Sequence, residues 1–261
     1  MHSSWFRKPV YKTVNRITLI LVVLAACMTI FTHMGWYAAG VLIILWLIFS
    51  ALASYTISSG VYISAVCSVP VKDKLVCLTF DDGPCEATGK VLELLEDSRA
   101  KATFFIIGKK IRRFKNLIKK MVSSGHEIGN HSYSHSNLFP LMRVNKIKRE
   151  IIRTQETIRK ITQQEPVCFR PPFGVTNPLI ARALATFNLT TIGWSIRSMD
   201  TTKRKPERII HTVTDRIGPG DIVLLHDSSE NILPVLKEVL VYCNQKHYKL
   251  VTISELLNNR V

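Results

Sequence analysis

Acidic residues are scarce. The 261 residues hold 19 Asp and Glu against 35 Lys and Arg, a formal net charge of +16. The six cysteines form no CxxC pair, and the five beyond Cys27 are an odd number. That pattern argues against a disulfide framework and fits a reducing compartment. There is no internal repeat and no low-complexity segment. Charge alone would allow nucleic-acid binding, but no motif interleaves basic and aromatic residues, and no nucleic acid is expected as a partner.

Charge is also missing locally. Residues 17–31 (ITLILVVLAACMTIF) and 36–57 (WYAAGVLIILWLIFSALASYTI) carry none. The second run is long enough to span a bilayer, which takes about 20 apolar residues. The first reaches that length with residues 32–34. A transmembrane hairpin over 17–57 is expected, after a basic tail (1–16) and before a linker (58–74). A cleaved signal peptide fits less well, because the second run is too long for its apolar core. The tail holds Arg7, Lys8, Lys12 and Arg16 and no acid, the connector holds no Lys or Arg, and Lys72 and Lys74 follow the second run. The positive-inside bias then favours both ends on the cytoplasmic side of the cell membrane. Should only the second run span, the C-terminal part lies outside.

From Leu75 the pattern changes. Short apolar runs (75–80, 102–108, 127–130, 167–170, 189–194, 221–227, 248–253) alternate with helix-like segments (from Thr88, 109–125, 143–162, about 177–187, 231–246 and the terminal SELLNN). Such alternation predicts parallel strands with helical crossovers, hence an α/β barrel or a doubly wound sheet. Polar groups cluster where these strands end: Asp81 and Asp82, His131 and His135, Arg170, Asp200, His226. In parallel α/β folds that edge builds active sites. His131 and His135 are four apart. On a helical turn they would share a face and grip one cation. Two His and one carboxylate suit a hydrolytic zinc centre or a non-haem iron site.

LTFDDGP, GHEIGNHSYSH, FRPPFG and IVLLHD occur in that order. This set resembles the polysaccharide deacetylase family with the NodB-homology domain, over roughly residues 75–257. The resemblance implies a distorted (β/α) barrel and metal-dependent removal of acetyl groups from N-acetylated glycans. It implies Asp82, His131 and His135 as ligands of a divalent metal, usually zinc. It makes Asp81 the general base, Arg170 its partner, the Phe173 N–H an oxyanion donor and His226 the general acid. Family members commonly carry Tyr where Phe173 stands; a backbone donor survives that change. Many carry Asp at the position of Arg197, which leaves Asp200 to tune His226 or pair with Arg170. Cys85 stands where His is frequent. O-deacetylation, deformylation of a lipid-linked aminosugar and non-catalytic glycan binding are the alternatives.

The segment 109–120 holds seven Lys or Arg and no acid, and 143–160 is also basic. Such faces are either simply solvated or attracted to anionic membrane lipids or an anionic glycan.

Overall fold

The computed structural model describes residues 11–28 and 34–261. Two helices, α1 (Tyr11–Met28) and α2 (Met34–Tyr55), precede eight strands and seven further helices. The strands are β1 (Leu75–Gly83), β2 (Ala102–Ile106), β3 (Glu127–Asn130), β4 (Cys168–Phe169), β5 (Thr190–Thr191), β6 (Ile196–Arg197), β7 (Ile222–His226) and β8 (Lys249–Leu250). The helices are α3 (Thr88–Asp97), α4 (Lys115–Ser123), α5 (Val144–Thr162), α6 (Pro178–Leu184), α7 (Pro206–Thr214), α8 (Ile232–Gln245) and α9 (Ile253–Asn258).

All strand pairs are parallel, in the order β5-β4-β3-β2-β1-β7-β6, with β8 beside the start of β1. The sheet curls into a barrel-like wall whose two end strands, β5 and β6, are neighbours in sequence. Side chains alternate across it, as period-two geometry requires. Val76, Leu78 and Phe80 of β1 join Phe104, Ile106, Val223 and Leu225 under α3, α4, α7 and α8. Cys77, Thr79 and Asp81 lie on the opposite, inward face, where Cys77 packs with Phe105, Cys168 and Ile222. All six cysteines are free thiols.

Residues 58–74, expected as a linker, instead complete the wall. Val66 bridges Ile192, Ser68 bridges Asp221 and Val71 bridges Arg260. Val61, Tyr62, Ile63, Val66 and Val69 are buried. The cause is unpaired backbone beside β5 and before β7, for which Val66 and Val69 supply partners: Val66 N donates to the Thr191 carbonyl and Val69 N to the Gly220 carbonyl, both at 2.9 Å.

Of the expected hairpin, one candidate span is found. Among the described residues, α2 alone is long and apolar enough to cross a membrane. Its 22 residues span about 33 Å. α1 begins inside the expected tail and takes in Lys12 and Arg16. Residues 29–33, which would complete the first apolar run and form most of the connector, lie outside the described residues, as do Arg7 and Lys8 of the tail. α1 packs on α2, and Trp46 Nε1 donates to Asn15 Oδ1 at 3.1 Å.

One other expectation changes, and one stretch went unread. The helix predicted over 109–125 is a 3-10 turn (Gly108–Lys110) followed by α4. β6 and α7, between 194 and 221, had no sequence signal strong enough to be read.

Candidate active site

The C-terminal ends of β1, β3, β4 and β7 meet at one rim. β1 does not stop before the paired aspartates, as the sequence suggested. It runs to Gly83 and bulges: Phe80 pairs Phe104 and Gly83 pairs Ile106, so β1 carries one residue more than its neighbour. Asp82 takes φ +68°. A bulge re-aims a side chain that simple alternation would send to the other face. Asp81 keeps the inward direction, opposite His226 in register. Both carboxylates therefore reach the same site.

His131 and His135 converge by a different route from the helical turn expected. The loop after β3 is irregular, with left-handed backbone at Ser132 (φ +64°) and His135 (φ +48°). Glu150 of α5 holds it, accepting from Tyr133 N, Ser134 N and Ser134 Oγ at 3.2, 2.7 and 2.8 Å. Asn130 and Ser132 Oγ brace it from within. Left-handed non-glycine residues cost energy and persist where surroundings over-determine them, often at functional sites.

One donor atom each from Asp82, His131 and His135 lies within 4.8 Å of the others. His135 Nε2 is 3.1 Å and His131 Nε2 3.6 Å from Asp82 Oδ1. His131 Nδ1–H donates to the Arg170 carbonyl at 2.8 Å, which leaves Nε2 as a bare lone pair. Asp82 Oδ1 is shielded from solvent yet accepts no hydrogen bond. Such an orphan acceptor facing two imidazoles fits a divalent cation. Burial pushes the Asp82 carboxyl up, but the pull of His131, with His135 and His226 behind it, holds it below the usual carboxylate range. Burial, then the neighbouring His131, lowers His135 to about 4, so its ring is neutral at neutral pH and able to ligate.

Arg170, wholly buried, crosses the barrel interior. It donates to Asp81 Oδ1 and Thr79 Oγ1 at 2.8 Å, and to the Ile192 and Gly193 carbonyls at 3.2 and 2.7 Å. Its guanidinium lies over the Phe105 ring. Asp81 is thus held on one oxygen, and its other oxygen stands 3.7 Å from His131 Nε2.

Asp200 pairs with His226 and not with Arg170. His226 Nδ1–H donates to Asp200 Oδ1 at 2.9 Å and the His226 amide to Oδ2 at 2.7 Å. Ser198 and Ser229 fix the aspartate in turn. Burial lowers the His226 pKa, but the bond to Asp200 and its charge outweigh this, and the net shift is upward. Arg197 is exposed on β6. Phe173, at φ +61°, sets its half-exposed ring edge-on to His135 at 4.7 Å. Cys85 sits against the Asp227 carbonyl and Thr88.

Comparison with known proteins decides the family. Residues 68–192 match the model of the polysaccharide deacetylases. A peptidoglycan-N-acetylglucosamine deacetylase of Bacillus cereus is 35% identical over 72% of this chain and 91% of its own. The chain belongs to the polysaccharide deacetylase family. Among other members, the peptidoglycan-N-acetylmuramic acid deacetylase PdaC of Bacillus subtilis is 30% identical over 72% of this chain but only 40% of its own length. The solved PdaC structure superposes with a TM-score of 0.68 at 30% identity, covering 73% of this chain and 93% of that one. A CE4 family pseudoenzyme from Bacillus anthracis superposes with a TM-score of 0.68 at 28% identity, over 75% of this chain and 69% of that one. The fold thus carries a member without activity, and a mutant of it with restored enzymatic activity keeps the same likeness, with a TM-score of 0.68 at 30% identity over 75% of this chain and 72% of that one.

Sequence reasoning missed Thr79 and Glu150. Thr79 is one more threonine in a strand, and Glu150 one acid in a basic helix; neither has a motif.

Proposed function

We propose that this chain is a membrane-anchored, metal-dependent deacetylase that frees the amine of N-acetylated sugars in a glycan of the peptidoglycan class. The observation that carries the reading is the three-donor cluster of Asp82, His131 and His135 beside the Arg170-held Asp81. Zinc suits two imidazoles and one carboxylate with open positions. The cation would lower the pKa of a coordinated water and polarise the acetamide carbonyl.

The protein's own residues do the rest. Asp81, restrained by Arg170, accepts a proton from the attacking water. The Phe173 N–H stabilises the developing oxyanion. His226, held by Asp200 through Nδ1, delivers a proton from Nε2 to the departing amine. Acetate and a free amino sugar result. A non-catalytic glycan-binding role is the second reading, prompted by the pseudoenzyme neighbour. The complete set of Asp81, Asp82, His131, His135, Arg170 and His226 speaks against it.

The test is acetate release from N-acetylglucosamine oligomers by chelator-stripped protein with zinc restored. Activity that returns with metal and is absent in Asp82→Ala supports the proposal. Turnover by Asp82→Ala at the unmodified rate overturns the mechanism. The side of the membrane is read by reporters fused after Val261. A cytoplasmic signal directs the substrate search to lipid-linked precursors, and an external one to assembled wall glycan.

A further inference from the structure

The loops that carry the site converge on the end of α2. The Ser54 carbonyl, in its last turn, accepts from the Thr176 amide at 3.0 Å. Ala53 packs in one cluster with Val61, Tyr62, Phe139 and Met142. Asn177, next to Thr176, donates through Nδ2 to the Pro140 carbonyl at 2.6 Å. Phe173 lies three residues before Thr176, and His135 three residues before Leu138. Three residues reach at most about 11 Å.

The 138–142 turn is built unusually. Phe139 and Met142 are buried and pin it, while Leu138 and Leu141 are 64% and 78% exposed. The turn that carries these leucines packs through Phe139 and Met142 with Ala53 of α2, close to the end of a helix where Leu52 and Tyr55 are also exposed. Next to the turn, Arg143, Lys146, Arg149 and Arg182 line an open cleft that has no carboxylate in its wall. Apolar side chains flanked by basic ones, contiguous with an apolar helix of spanning length, match a bilayer interface with anionic headgroups.

The geometry points to a second membrane contact: Leu138 and Leu141 enter the bilayer interface, and Arg143, Lys146, Arg149 and Arg182 bind anionic phospholipid headgroups. This holds the His135–Phe173 mouth of the site at the membrane surface, facing membrane-bound glycan. The inference rests on α2 as a membrane anchor.

Full-length protein in nanodiscs of phosphatidylcholine, with or without phosphatidylglycerol, tests it by hydrogen exchange. Exchange of residues 137–149 should slow when phosphatidylglycerol is present. High salt should reverse this, and each basic residue removed should weaken it about fivefold. Leu138→Ser/Leu141→Ser should lose the protection while staying in the disc. Incorporation with the same exchange in both discs overturns the surface but leaves the anchor standing. Failure to incorporate overturns the anchor and the surface with it. Protection of 137–149 by an anionic oligosaccharide in detergent, with none from phosphatidylglycerol, reassigns the cleft to substrate and also overturns the proposal.

Discussion

Asp200 shows how one carboxylate moves the titration of a neighbouring imidazole. Its carboxylate raises the His226 pKa against the effect of burial, so the imidazole proposed as general acid stays protonated to higher pH. In Asp200→Asn the largest upward influences are gone, and the smaller pull of Asp81 and Asp82 is left against the desolvation. The alkaline limb of the pH profile of kcat/KM should move to lower pH, with turnover reduced ~10²–10⁴-fold, the usual contribution of a general acid. An unmoved limb would detach His226 from that role. Asp227 behaves oppositely. Burial raises its carboxyl to about 6, its Oδ1 lacks a partner, and it lies so close to Gly83 that a methyl there would collide with it. The folded state therefore holds this proton more tightly than the unfolded one. Stability is lost as pH rises from about 4 to about 6 and stays lost above that. Asp227→Asn should raise the melting temperature at pH 7.5 by ~2–4 °C and flatten its fall between those values, as read by calorimetry.

The helices serve the site by anchoring loops. Glu150 gathers three hydrogen bonds from Tyr133 and Ser134, which fixes His135 without touching it. Glu150→Gln should weaken zinc binding about 10–100-fold, the usual effect of losing a supporting partner, measured by competition with a chromogenic chelator. The fold should remain intact by circular dichroism. Legibility in the sequence follows from the same distinction. The strand ends were readable because polar candidate residues stand at or just after the ends of β1, β3, β4 and β7. How Asp82 and His135 are aimed was not, because a bulge and left-handed loop backbone leave no periodic trace. β6 went unread because Ile196 stands alone between polar Ser195 and Arg197, whereas the equally short β4, β5 and β8 lie within longer apolar runs, and the basic stretch before α7 resembles loop.

For the molecule as a whole, the division into anchor, linker and domain is drawn differently by the structure than by composition. Residues 58–74 look like a tether, yet Val66, Ser68 and Val71 supply backbone pairing to the barrel, and Gly220 receives the chain at Val69 so closely that no Cβ would fit. A chain starting at Ile57 should fold and melt cooperatively, whereas one starting at Leu75 should be insoluble or lack a thermal transition. Equal melting curves for the two would show that the segment contributes nothing.

Arg170 ties these levels together and has a consequence for descent. Its fork joins β1 to the stretch after β5 through the middle of the barrel, and removing one partner of a buried ion pair costs about 3–5 kcal/mol. Lineages that abandon catalysis while keeping the fold should therefore shed ligands and the acid from the rim, where losses are tolerated, and retain this arginine long after its chemical purpose has gone.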